Sequence, residues 1–154
     1  MKTMRVICAI DDSPYSQEVV EVLTAREWPE DCEIKLLTVL EPVELEGNGE
    51  FLELRSEIQD KRKDAAKNML EKARSKISGS ETINVHFEIR EGCPKEEILK
   101  AAVEWSADKI LLGAHGHGIC PRHILGSISR TVAAHAPCTV EIVRSSSRAK
   151  AKAH

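Results

Sequence analysis

The chain has 154 residues, the size of one ordinary domain, with 42% hydrophobic and 31% charged residues, so it can bury one real core but not two independent ones. Lys and Arg number 22 against 25 Asp and Glu, and the net charge of −3 supplies no basic field of the kind that holds nucleic acid. Two Trp, one Tyr and two Phe are too few for a stacking platform, so ring-based reading of single strands is disfavoured and any nucleobase would need aliphatic walls.

Five cysteines, Cys8, Cys32, Cys93, Cys120 and Cys138, are odd in number, widely spaced and without a CxxC pair, the pattern of reduced intracellular thiols. The apolar run after the N-terminus is far short of a signal-peptide core. No run approaches the ~20 apolar residues of a membrane span, so a cytoplasmic protein without a membrane partner is expected.

Residues 4 to 10 form a continuous apolar run, which suits a strand covered on both faces. Ser13-Pro14 then starts a helix expected to run from 14 to about 26, with Val19, Val20 and Leu23 at helical spacing. Ile34 to Leu40 is a second strand, stopped at Glu41-Pro42, and 43 to 50 reads as a loop. Leu54, Ile58, Ala65, Met69, Ala73 and Ile77 predict one face of a long helix, its acids early and its bases late, as the helix dipole favours. Ile83 to Ile89 alternates as a third strand, and Gly92-Cys93-Pro94 leads into a helix carrying Ile98, Leu99, Ala102 and Val103. A fourth strand at 109 to 112, a Gly-rich loop, a short helix near 127 to 135 and a last strand, Thr139 to Val143, complete the order.

Strands alternating with helix-length segments imply right-handed crossovers, hence an α/β fold: a three-layer α/β/α sandwich on a five-stranded parallel sheet. Ligands of such sheets bind beyond the carboxyl ends of the strands, where strand order reverses. The residues following strands one and four are therefore the informative ones.

After strand one the chain reads Ala9-Ile10-Asp11-Asp12-Ser13-Pro14. With no glycine fingerprint it cannot hold a dinucleotide pyrophosphate in the Rossmann manner. Its carboxylates can accept hydrogen bonds from ribose hydroxyls or an adenine amino group. Asp12 and Ser13 are read first as helix caps, which leaves Asp11 as the functional candidate. After strand four, glycines that let backbone N–H groups approach an anion precede a helix start at Gly126-Ser127, with hydroxyls on Ser127 and Ser129. Together they describe a phosphate cradle. Lacking a Lys before Ser127, it is not a Walker A loop, and the plainer reading is that Gly118 and Gly126 turn the chain while Ser127 caps the helix.

The spacing Gly113, two residues, Gly116, nine residues, Gly126-Ser127 resembles the ATP-binding motif G-x2-G-x9-G-(S/T) of the universal stress protein family. The resemblance extends to Ala9-Ile10-Asp11-Asp12-Ser13, to the second strand around Val39, to the Gly92-x-Pro94 turn and to Pro137 through Val143. It implies an ATP-binding protein of the cytoplasmic stress response, acting as a nucleotide-dependent switch or sensor. By position it implies Asp11 at the ribose or adenine, Ala9, Ile10, Val39 and Leu112 beside the base, and Gly113, Gly116, Gly126, Ser127, Ile128 and Ser129 around the phosphates. Arg122 is the loop's one permanent cation, so phosphate affinity would lean on backbone amides and a metal ion such as Mg2+. The resemblance also implies a homodimer through Thr139 to Val143 and a domain over 1–144; residues 145–154, with bases and no acid, read as a basic tail outside it.

Three alternatives stand beside this reading. His115, His117, Cys120 and His123 could form a transition-metal site, although their spacing matches no known zinc pattern. An enzymatic role finds no Walker-type Lys and no clear base facing the cradle, so at most slow ATP hydrolysis is expected. A dimeric interaction module that binds no nucleotide is the third; the tail's bases carry no specific nucleic-acid signal.

Overall fold

The computed structural model describes residues 2–47, 49–78, 83–117 and 124–144. The first element is strand β1 (Arg5–Ala9), whose central Val6, Ile7 and Cys8 are fully buried because helices cover both faces of the sheet. Helix α1 (Pro14–Ala25) begins with Pro at its first turn, where the missing N–H costs nothing. Strand β2 (Glu33–Leu40), a short 3-10 turn at Gly49–Phe51 and helix α2 (Leu52–Ile77) follow. Strand β3 (Asn84–Glu91), helix α3 (Pro94–Glu104), strand β4 (Lys109–Gly113), helix α4 (Ser127–His135) and strand β5 (Thr139–Val143) complete the order. No helix among the described residues is long and apolar enough to cross a membrane.

All four strand pairings are parallel and the order is β3-β2-β1-β4-β5. The chain builds outward from β1 to β3, returns to the middle, and builds outward again through β4 and β5. Strand order therefore reverses between β1 and β4, the point beyond whose carboxyl ends sheets of this kind bind their ligands. The expected three-layer parallel architecture is the one observed.

The core lies in two layers. On one face Val6, Cys8, Ile34 and Leu36 pack with Val19 and Leu23 of α1 and Leu70 of α2; on the other, Ile7, Leu37, Ile110 and Leu112 pack with Ile98 of α3 and Val132 of α4. Truncating a fully buried side chain such as Ile7 to Ala removes about 2–5 kcal/mol of stability.

The structure corrects the expected face of the long helix. Ala66, Leu70, Ala73 and Ile77 are its buried residues, whereas Ala65 is exposed and Leu54 is 45% exposed. Steps of four residues drift around a helix of 3.6 residues per turn, so the stripe drawn from Leu54 to Ile77 meets the core only at its C-terminal end, where Ala73 and Ile77 are buried. All four buried residues of α2 lie in its C-terminal half. Strand β3 also runs two residues further than alternation suggested, because it pairs with β2 over its full length, to Leu40↔Glu91.

Candidate functional site

The turn leaving β1 is organised by one carboxylate. The Asp11 backbone N–H donates to Ser16 Oγ at 2.8 Å, and Asp11 Oδ1 accepts from the Ser16 hydroxyl at 2.8 Å and from the Ser13 backbone N–H at 2.9 Å. Asp11 thus braces the turn, but it bonds the N-cap residue's own N–H and a hydroxyl, so the side-chain capping of α1 expected of Asp12 or Ser13 is not made. Ser13 does occupy the N-cap position, but its side chain makes no cap bond, and its buried hydroxyl has no partner among the described residues. The second carboxylate oxygen, Oδ2, faces the loop after β4: a Cβ built on Gly116 would lie 3.1 Å from it.

That loop is fixed at its base. The Ala114 N–H donates to the Val143 carbonyl at 2.9 Å, and the Ala114 carbonyl accepts from Gly126 N–H at 2.9 Å and from Ser129 Oγ at 3.0 Å. Ser129 Oγ also lies 3.0 Å from the Gly126 carbonyl, so its single proton is shared between two backbone acceptors. Ser129 is 2% exposed, and its hydroxyl holds the start of α4 against β4 instead of pointing at solvent. Gly126 is the N-cap residue, Arg130 N–H makes the first bond back to it, and Ser127 begins the helix. The backbone N–H groups of Ser127, Ile128 and Ser129 therefore lie in the first turn, where a helix offers no internal acceptor and its dipole favours an anion.

Glycine fits two of these positions because a side chain would be tight there. A Cβ on Gly126 would meet the Ala114 carbonyl oxygen at 3.3 Å, and one on Gly113 would meet the His115 carbonyl oxygen at 3.3 Å and the Tyr15 and Val19 side chains at 3.6 Å. Gly113 thereby lets α1 sit against the end of β4. Beyond it, the His115 and Tyr15 rings lie 5.4 Å apart and tilted, and the exposed His117 Nε2 donates to Asp12 Oδ1. These contacts join the loop after β4 to the first turn of α1 and to the turn after β1.

The aliphatic residues divide between the two faces of the sheet. Leu112 is buried in the α3/α4 layer, with the partly buried Ala9 and Val39 packed against the same cluster. Ile10, 5% exposed, packs in the α1/α2 layer, its N–H bonded to the Leu37 carbonyl and its carbonyl to the Thr38 hydroxyl. The structure thus brings together Ala9, Val39 and Leu112 on one side and Asp11 and Gly116 at the crossing, with Gly126 through Ser129 joined to the same loop. It does not bring the Ile10 side chain to them. Arg122, Cys120 and His123 lie outside the described residues. Of the metal-ligand set, His115 and His117 face Tyr15 and Asp12, and no group of three or more potential ligands gathers among the described residues.

Sequence reasoning missed Ser16 and Ala114. The signal for Ser16 was its place one turn into α1, within reach of the acid that precedes the helix; Ala114 acts through its backbone and carried no side-chain signal.

The model of the universal stress protein family matches residues 2–144. The chain belongs to that family. A universal stress protein of Methanothermobacter thermautotrophicus is 43% identical over 70 residues, a match spanning 44% of this chain and only 47% of that relative. The solved universal stress protein UspA of Lactobacillus plantarum has the same fold, with a TM-score of 0.78 at 23% identity over 94% of this chain and 99% of that one. A family member from Arabidopsis thaliana solved with AMP bound gives a TM-score of 0.62 at 19% identity, covering 94% of each chain. A universal stress protein solved in complex with cAMP gives 0.66 at 17%, covering 93% and 98%.

Proposed function

We propose that this universal stress protein binds ATP in the crevice between the carboxyl ends of β1 and β4 and uses it as a switch in a cytoplasmic stress response. The observation that carries the reading is the meeting of Asp11 Oδ2 and Gly116 where strand order reverses. One oxygen of Asp11 is occupied by the turn; the other is available to ribose hydroxyls, which are donors. The first-turn N–H groups of α4 would take phosphate oxygens, with Arg122 and Mg2+ adding positive charge. Ala9, Val39 and Leu112 would form the wall against the base. Relatives of the same fold solved with AMP and with cAMP favour an adenine nucleotide as the ligand class.

The binding groups among the described residues are backbone amides and a carboxylate, and the role we propose is binding with at most slow hydrolysis. The dimer is part of the proposal: β5 pairs on one side with β4 and forms an edge of the sheet, where a second copy's β5 would find unpaired backbone groups. A nucleotide that orders the loop after β4 would act on β5 through the Ala114 N–H to Val143 bond.

Mass spectrometry of the denatured purified protein is expected to release an adenine nucleotide. ATP titration is then expected to give binding in the wild type and none in the Gly116→Val, Gly126→Val double variant. Equal affinity in the two proteins would falsify the site. Light scattering at micromolar concentration is expected to give the mass of two chains, and a monomer would refute the dimer.

A further inference from the structure

The segment from Ala114 to His117 is a strap with three attachments. Its first residue is bonded to β5 through Val143 and to the start of α4 through Gly126 and Ser129. Its glycine lies against Asp11 Oδ2. Its last residue, His117, reaches Asp12 Oδ1. Asp11 and Asp12 are consecutive, yet they meet the strap differently: Asp11 is partly buried and bonded into the turn, while the Asp12 side chain is 81% exposed and its contact here is His117.

This arrangement poses a charge problem for a site that takes a polyphosphate. Two adjacent carboxylates stand at the end of β1, and each added phosphate charge is repelled by both. Asp11 has compensation of its own from the Ser13 N–H and the Ser16 hydroxyl. The compensation for Asp12 comes from the strap itself, through an imidazole that donates to a carboxylate oxygen. An exposed pair of this kind contributes little to folding stability, so its effect should be sought in the field it sets at the crevice.

We propose that His117 and Asp12 set the phosphate selectivity of this site: His117 masks the Asp12 carboxylate, and the masking raises the affinity for ATP relative to adenosine without contact between His117 and the ligand. The inference rests on the nucleotide reading of the crevice. It predicts that the effect of His117 exists only while Asp12 carries a charge, and that it grows with the number of phosphates on the ligand.

The test is calorimetric titration of the full chain with adenosine, AMP and ATP, for the wild type, His117→Ala, Asp12→Asn and the double variant. At exposed sites a single charge changes affinity by a factor of about 2–5. His117→Ala removes a hydrogen-bond donor and not a fixed charge, so it is expected to weaken ATP by no more than that factor, AMP by less, and adenosine not at all. Asp12→Asn is expected to strengthen ATP by a similar factor, and the double variant to match Asp12→Asn. An ATP affinity unchanged or improved in His117→Ala overturns the proposal, as does a loss of the same size in the Asp12→Asn background, which would mean direct phosphate contact. If no ligand binds the wild type, the nucleotide reading falls and this inference with it; binding that all four proteins share equally removes this inference alone.

Discussion

Asp11 and Gly116 meet across the point where strand order reverses, with Asp11 Oδ2 3.1 Å from where a Cβ at 116 would stand. The carboxylate cannot swing aside freely, because its other oxygen is held by the Ser13 N–H and the Ser16 hydroxyl. Gly116→Val therefore displaces either the strap or the acid. The core lies away from this contact, so the melting temperature is expected to change little. Loss of one hydrogen bond to a charged acceptor corresponds to about 1.5–3 kcal/mol, so ATP affinity should fall about tenfold or more. Titration of the folded variant checks this, and wild-type affinity would count against the contact as a binding feature.

The two oxygens of Asp11 have separable duties. Asp11→Asn keeps an acceptor for the Ser13 N–H and loses the charge offered to the ligand; Asp11→Ala loses both. Urea midpoints are expected to show little change for Asn and a cost of about 1.5–3 kcal/mol for Ala, the size of a lost hydrogen bond to a charged group. Nucleotide affinity should fall in both. A destabilised Asn variant would show that the charge, and not the acceptor geometry, holds the turn.

Ser127 and Ser129, equivalent as hydroxyls in the sequence, diverge in the structure. Ser129 is buried and bonded to two carbonyls, whereas Ser127 is exposed at the first helical position. Ser129→Ala is expected to cost about 1 kcal/mol and to lower ATP affinity by loosening α4 from Ala114. Ser127→Ala should change stability by less than about 0.5 kcal/mol. Chemical unfolding of the two variants makes the comparison; equal effects would mean that the Ser129 bonds do not hold the helix start.

These cases show how far the residues alone could be read. Apolar runs and turn residues were enough to order β1 through β5, because a parallel sheet buried on both faces leaves continuous hydrophobic stretches. The glycine spacing was enough to place the loop after β4. The division of labour within the site was not legible. Whether Ser129 faces a ligand or a carbonyl depends on where Ala114 lies, and Ala114 is positioned by Val143 of β5, far downstream in a pairing that no local pattern encodes. Ile10 likewise sits one residue from Ala9 and Asp11 yet points into the α1/α2 layer, because the pleat alternates faces at every step.

The thiols should differ in reactivity according to burial. Burial pushes the Cys8 thiol far up from its ordinary value, and burial reinforced by the Glu33 charge raises Cys32. Both are fully buried, whereas Cys93 and Cys138 are partly exposed. Among the four thiols of the described residues, alkylation of the native protein, read by peptide mass, is expected to modify Cys93 first. Cys138 should follow more slowly, since burial and then Asp108 raise its thiol too. Cys8 and Cys32 should react only at the rate of unfolding. Early labelling of Cys8 would mean that the sheet opens locally.

Asp108 gives the fold an acid-sensitive tie between its N-terminal segment and β4. Its Oδ2 accepts from the Arg5 backbone N–H at 2.9 Å and its Oδ1 from Lys2 Nζ at 3.0 Å. These bonds, the Arg5 N–H foremost, hold its carboxyl below the ordinary 3.8. A carboxyl depressed on folding stabilises the native state above its unfolded pKa, and that contribution is lost as pH falls through the lower folded value. Asp108→Asn retains an acceptor but no charge, so it should be less stable than the wild type at about pH 6, with the gap closing as pH falls below 3.8. Because Lys2 is 77% exposed, salt should remove only its minor share. Urea midpoints of both proteins at several pH values measure the gap, and a difference that stays constant into acid would show that the Asp108 charge contributes nothing to the tie.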